Sequence, residues 1–280
     1  MFGNSCTLPF VRIMPSDLRD RTIADFGDQW TAYTDNSGYY GSTALLQDVF
    51  GPLLAIEALR GAVVADVGAG TGRYTNILIG CGAKKVVAIE PSRAFEVLLA
   101  NTAAVRDRIE YINVGGETFV ASEPLDFALS LGVVHHILDP GPVVAAMFRA
   151  LKPGGTIGLW LYGREGNGPY VMLLSVLATL TRQLPHSLLA AFAWFMYFPT
   201  LAYALACRKL TLPLAGYMRE VFLKLSPAKR RLVIYDQLNP SYAKYYRERE
   251  VRALLETAGF SDIRLFHRHG YSWTAVATRP

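Results

Sequence analysis

The sequence predicts an open, mostly parallel α/β sheet with one antiparallel strand, interrupted by a long helical insert. Three observations carry this. Short apolar runs alternate with helical stretches from Val63 to Tyr162. A glycine-rich turn lies where the first run meets its helix. The chain ends in a helix and two strands joined at a tight hairpin.

The elements follow in order. A polar and aromatic lead-in with Trp30, Tyr33, Tyr39 and Tyr40 precedes a helix-like stretch from Leu45 to Leu59. Val63–Val67 reads as a buried parallel strand, Thr71–Ile79 as a helix and Lys85–Glu90 as the second strand. Ser92–Ala104 is a helix, Ile109–Val114 the third strand and Leu125–Leu131 the fourth. Pro142–Leu151 is a helix stopped by Lys152-Pro153-Gly154-Gly155, and Thr156–Tyr162 is the fifth strand. After the insert, a helix from Tyr246 to Ala258 stops at Gly259. Strands Ile263–His269 and Ser272–Thr278 then meet at Gly270-Tyr271. The expected organisation is an N-terminal cap (1–60), a core (61–162 and 246–280) and an insert (163–245).

Of the 280 residues, 51% are hydrophobic and 18% charged, and the mean hydropathy is +0.22. These values exclude disorder as the main state. The net charge of +5 is modest, and no nucleic-acid partner is expected from it. Cys6, Cys81 and Cys207 are far apart and form no CxxC spacing, so neither a disulfide framework nor a zinc site is implied. With no secretory signal pattern at the N-terminus, the expected location is the cytoplasm.

Asp66-Val67-Gly68-Ala69-Gly70-Thr71-Gly72-Arg73 occupies the first strand-to-helix turn. Glycines there let the backbone approach a ligand and open the helix N-terminus toward it. A dinucleotide-binding GxGxxG would need its third glycine at position 73, where the chain has Arg73. Glu90 ends the second strand about 20 residues after the loop, where a carboxylate accepts hydrogen bonds from a ribose diol.

These residues resemble the class I S-adenosylmethionine-dependent methyltransferases. The resemblance runs through Val64–Gly72, Val87–Ser92, Leu125–Ser130, Gly132–Ile137 and Leu151–Gly155. It implies a Rossmann-like, seven-stranded sheet and S-adenosyl-L-methionine as cofactor. It also implies roles for particular residues. Gly68, Ala69, Gly70 and Gly72 would wrap the methionine part, and Asp66 would orient the loop. Glu90 would hold the ribose, with Pro91 and Ser92 beside the adenine. Ser130 and Leu131 would lie beneath the sulfonium. The acidic residue usual after the third strand is replaced by Gly115, which leaves Glu117 or a backbone group for the adenine amine. A weaker resemblance, through Asp236–Pro240 and Ser272–Thr274, is to bacterial members thought to act in glycan or lipid assembly.

His135 and His136 follow the fourth strand, where an imidazole can take a proton from a hydroxyl acceptor. Scaffold roles are the alternative, and no metal is expected, because adjacent side chains on extended backbone point apart. Tyr242, Tyr245 and Tyr246 with Asp236 and Gln237 form a polar-aromatic patch that reads as an acceptor wall or as an anchor for the insert. Phe26–Trp30 with Tyr39 and Tyr40 reads as a lid or as plain packing. His267 and His269 read as structural.

Leu188–Cys207 is a twenty-residue run without a charge, long enough to span a membrane. Strands of one sheet precede and follow the insert, which argues against a single crossing. A helical cap, a surface dipping into the membrane interface and a re-entrant hairpin all remain, with Pro185 and Pro199 bending or ending helices. The insert carries ten Lys or Arg against three acids, a balance of +7, and leaves −2 for the rest. Peripheral contact with an anionic membrane is one expectation from this pattern, and a solvated basic rim is the other. The expected activity is methyl transfer to a small-molecule, glycan or lipid-linked acceptor, most simply at oxygen. The alternatives are an NAD(P)-dependent oxidoreductase and an inactive cofactor-binding scaffold.

Overall fold

The computed structural model describes residues 15–181 and 184–280. Cys6, Arg182 and the first fourteen residues of the expected cap lie outside them. Strand β1 (Val63–Val67) pairs in parallel with β2 (Lys85–Ile89) and β4 (Leu125–Leu131). Outside these, β3 (Ile109–Ile112) joins β2, and β5 (Leu151–Tyr162) joins β4, both in parallel. Strand β7 (Ser272–Thr278) runs antiparallel between β5 and β6 (Ser261–Arg268), giving the order β3-β2-β1-β4-β5-β7-β6. The fold is therefore the expected seven-stranded, Rossmann-like sheet, with the antiparallel strand lying inside its edge. Every residue of β1 is buried, as a central strand covered on both faces requires. The strand order reverses between β1 and β4, so a crevice opens at their carboxyl ends.

Two cores cover the sheet. One packs α5 (Gly141–Ala150) and α10 (Glu248–Thr257) through Val144, Met147, Val251 and Leu255. The other packs α2 (Thr43–Phe50), α3 (Arg73–Gly80) and α4 (Ala94–Asn101) through Phe50, Leu78 and Leu98.

Several elements depart from the sequence reading. The lead-in contains an eighteen-residue helix, α1 (Pro15–Ala32). The 45–59 stretch is not one helix. It ends at Phe50, because Gly51 turns left-handed (φ 54°) against Phe266, and a 3-10 turn follows at Ile56–Leu59. Lys152–Gly155, expected as a helix stop and turn before the fifth strand, lies within β5. Leu151 already pairs with Leu125, and the register slips before Phe127 meets Thr156. The last helix starts at Glu248, where the Glu250 carboxylate accepts from the Arg247 N–H at 2.8 Å. Tyr246 instead bridges Gly163 and sits in the core.

The insert forms α6 (Gly168–Thr181), α7 (His186–Ala206), α8 (Ala215–Glu220) and α9 (Pro227–Leu238). Helix α7 continues through Pro199, where a bend or stop was expected. By length and composition it could cross a membrane, yet β5 and β7 on either side of the insert lie in one sheet. It packs on α9 through Leu189, Ala193, Tyr235 and Leu238. Helix α9 is in turn tied to the N-terminal cap. Lys229 pairs with Asp35 at 3.2 Å, and Ser241 donates to Asp25 at 2.6 Å.

This packing separates core from surface. Leu129→Ala, fully buried in β4, is expected to cost about 2–5 kcal/mol. Leu188→Ala, exposed on α7, is expected to change stability by less than about 0.5 kcal/mol. Urea denaturation of both variants checks the contrast.

Candidate active site

The crevice opens into a cavity of about 710 Å³ bounded by the glycine loop, α1 and the insert. Its floor is the turn after β1. Gly68 and Gly70 hold φ of 83° and 54°, a conformation open to glycine at little cost. A Cβ on Gly68 would lie 2.5 Å from Val133, so the loop presses directly on the turn after β4. The Trp30 ring faces Gly70 from the other side, 3.6 Å from where a Cβ would stand.

Glu90 fixes this loop. Its Oε2 accepts from the Gly70 N–H at 2.8 Å and its Oε1 from the Ser92 N–H at 2.9 Å. Each carboxylate oxygen keeps acceptor capacity after one such bond, so Glu90 can both brace the loop and receive ribose hydroxyls. Pro91, Ser92, Ala69 and Leu131 line the same cavity. Glu117 lines it too, paired with Arg19 of α1. Its carboxylate folds over Gly115, where a Cβ would come within 2.5 Å of both oxygens. Glycine at 115 is thus what lets Glu117 reach this position.

Four expected site residues lie behind the wall and do not line the cavity. Asp66 is buried and accepts from Thr75 Oγ1 at 2.7 Å; burial raises its pKa to about 6. It braces the start of α3 from below the loop. Gly72 caps α3 in a left-handed conformation against Leu98 and Thr102. Ser130 donates to the Val67 carbonyl at 3.0 Å, tying β4 to β1. His135 is fully buried, its ring 3.8 Å from that of Tyr162, with neither nitrogen hydrogen-bonded. Burial holds its pKa well below the usual histidine value. The expectation that both histidines point into the acceptor pocket is therefore corrected: in the 3-10 turn Val134–His136 the two rings lie 4.1 Å apart, with His135 behind, under Tyr162, and only His136 reaches the cavity.

His136 Nδ1 lies 2.9 Å from the Tyr242 carbonyl. A carbonyl only accepts, so Nδ1 carries the proton and Nε2 has the free lone pair. Burial lowers the His136 pKa, with Asp236 opposing the shift, so the ring is neutral near pH 7. Phe26 of α1 packs edge-on against it at 4.6 Å.

Asp236, Tyr242 and Tyr245 also line the cavity. Asp236 accepts from Gln29 Nε2 at 2.6 Å and from the Tyr162 hydroxyl at 3.2 Å. Gln237 Nε2 donates to that hydroxyl at 2.7 Å, and Gln237 Oε1 accepts from Tyr170 at 3.0 Å. Tyr162 has its pKa raised by burial, so it remains a donor. His267 of β6 and His269 just after it do not converge. His267 stacks on Trp273, and His269, at the turn, pairs with Asp48 at 2.8 Å.

Phe26 and Trp30, expected as part of a lid, line the cavity from the inner stripe of α1. Leu18 and Thr22 of the same stripe were not named from the sequence, and their four-residue spacing was the available signal. Arg73, set between the rings of Tyr40 and Tyr74 at 4.1 Å from each, also faces the cavity. Phe192, Met196 and Thr200 of α7 and Tyr170 and Leu174 of α6 supply the apolar roof.

Comparison with known proteins agrees with this architecture. Residues 65–159 match the methyltransferase domain family. The tRNA U34 carboxymethyltransferase of Cellvibrio japonicus is 29% identical over 133 residues, covering 43% of this chain and 41% of that protein. Protein arginine N-methyltransferase 6 of Danio rerio is 34% identical over 106 residues, covering 36% and 30%. The chain thus matches about two fifths or less of the length of these relatives. The crystal structure of magnesium protoporphyrin IX methyltransferase from Synechocystis PCC 6803, with bound SAH, superposes with a TM-score of 0.52 at 14% identity, covering 95% of this chain and 100% of that one. The exclusion of a nucleic-acid partner, drawn from the modest net charge, does not stand. Several relatives, each matched over 42–43% of this chain, are named for a tRNA position. Whole-chain charge averages over surfaces and says little about what enters one cavity. The glycine loop and the strand-end Glu90 thus lie within the stretch, residues 65–159, that matches the methyltransferase domain family, on a sheet with the order of the methyltransferase fold.

Proposed function

We propose that this chain transfers a methyl group from S-adenosylmethionine to an oxygen of an apolar small-molecule or lipid-linked acceptor, in the cytoplasm. The observation that carries the reading is the cavity itself. One space runs from the glycine loop and Glu90 to a roof of Tyr170, Leu174, Phe192 and Met196. Its volume lies well within the range of small-molecule sites, about 300–1,000 Å³.

S-adenosylmethionine, when bound, supplies a methyl group already activated on a sulfonium. The residues present fit it: a glycine cradle that added Cβ atoms would fill, and a carboxylate with spare acceptor sites. The chain's own work is positioning and proton removal. The insert roof and the inner stripe of α1 exclude water from the acceptor. The neutral His136 offers Nε2 to an acceptor hydroxyl, and the proton moves from that oxygen to Nε2 as the oxygen attacks. The carboxylate of Asp236 favours the imidazolium that results. A site with a poised base suits an O–H acceptor better than a neutral amine, which needs no base to attack.

A second reading is a nucleobase of an RNA. The names of the tRNA-modifying relatives favour it. Labelled-cofactor transfer into lipid extract and into unmodified tRNA, run side by side, separates the two. Label in the lipid fraction supports the first reading, and label in tRNA alone overturns it.

Glu90→Ala removes charge-assisted bonds and is expected to weaken S-adenosylhomocysteine binding roughly ten- to a hundredfold, measured by calorimetric titration. Unchanged affinity would contradict the placement of the ribose. His136→Gln is expected to lower kcat about 10²–10⁴-fold with cofactor affinity retained. Because the base works deprotonated and its pKa is lowered, the wild-type rate should stay flat through pH 7 and fall only below the usual histidine value of 6.5. A rate profile with its acid limb above that value would rule His136 out.

A further inference from the structure

Helix α7 has three kinds of surface. Leu189 and Ala193 pack on α9, while Phe192, Met196 and Thr200 face the cavity. The remaining face should be polar if water covered it. It is not: Trp194, Phe195 and Phe198 are 53%, 66% and 54% exposed, and Leu188 and Leu205 are exposed beside them. Positions 194, 198, 201 and 205 follow helical spacing, so this apolar strip runs along one side of the helix. Of the eighteen-residue apolar window in α7, 17% is buried.

The strip ends at a second cavity of about 500 Å³. Leu201, Leu205 and Leu223 line it together with Arg208, Arg219, Lys224 and Arg230. Two of these cations are held in place by main-chain carbonyls. Arg219 Nη1 donates to Cys207 at 3.2 Å, and Arg230 donates to Phe222 at 3.0 Å and to Leu223 at 2.6 Å. A guanidinium has five donors, so both retain several. Lys224 pairs with Glu220 at 3.1 Å, and among the described residues no carboxylate lines the cavity itself. Four like charges around one small space repel each other, and a single anion relieves that repulsion.

We infer that this cavity binds the phosphate of an anionic phospholipid, with the α7 strip lying in the acyl region of a membrane surface. The leucines that line the cavity continue the strip, so the occupant carries an apolar chain directly beside its anion. An RNA backbone would instead need cations spread along several phosphates. The two exposed rings Trp194 and Phe198 pack edge-to-face on each other at 5.1 Å and do not stand apart as base-stacking platforms. The site lies outside the main cavity and does not depend on the acceptor assignment.

Flotation of the full chain with vesicles tests this, using phosphatidylcholine alone and phosphatidylcholine mixed with phosphatidylglycerol. Binding is expected to the mixed vesicles and not to the neutral ones, with a blue shift of tryptophan fluorescence. Arg208→Ser with Lys224→Ser removes two cations and should weaken binding about thirtyfold. Phe195→Ser with Phe198→Ser should also reduce flotation. S-adenosylhomocysteine binding should stay unchanged in both double variants, which shows that the fold is intact. Equal flotation with neutral vesicles, or wild-type flotation of the cation variant, overturns the proposal. So does retention of glycerol phosphate or unmodified tRNA, lost in the cation variant, without any vesicle binding.

Discussion

The site depends on one carboxylate with two backbone partners. Glu90 stands at the end of β2 and receives the N–H of Gly70 from the turn after β1 and that of Ser92 from its own turn. Two loops that would otherwise carry unsatisfied donors are locked to one another across neighbouring strands. The lock works because Gly68 leaves no room for a side chain against Val133 and Gly70 takes a positive φ that favours glycine. A rigid cradle follows from this, since ligand-binding groups gain most when their geometry is set before binding. Asn36 and Asn101 add to it by donating to the Thr71 carbonyl.

The second dependence is between parts distant in sequence. Helix α1 closes the cavity from the N-terminal side and α9 from the insert, and the two meet through Gln29–Asp236, Asn239–Gln29 and Asp25–Ser241. The polar cluster around Tyr162 sits at this junction, so the wall of the cavity is also the seam of the fold. Removing one member leaves buried partners unpaired, which costs more than the lost bond alone. The insert is therefore no loose appendage. Its inner faces complete the cavity, and its outer face is free to meet something else.

Charge gives a lesson in scale. The +5 of the chain reads as mild until it is divided, when the insert holds the positive excess and the rest is slightly acidic. Even that division does not name a partner. Phosphates of a lipid or of a nucleic acid answer the same cations, and the exclusion of nucleic acid asked more of composition than composition contains. What separates the sources is geometry: whether the cations converge or spread, and what lies beside them.

The sequence by itself determined the sheet and the glycine loop with its carboxylate. Strands β1, β2 and β4 are local apolar runs, and the loop is built from residues adjacent in the chain or one βα unit apart, so Gly68, Gly70, Glu90 and Ser92 were all legible. The positions of Asp66, Gly72 and Ser130 behind the wall were not, because a motif names residues without their facing. Nor could pattern choose between His135 and His136, since the choice rests on which ring the Tyr242 carbonyl and Tyr162 claim. Helix α1 was hidden by its charged outer face, and its inner stripe gains meaning only beneath the roof of α7 and α9. These features were decided by the tertiary structure, because burial and hydrogen-bond partners come from segments up to two hundred residues apart, and local sequence carries no record of that meeting.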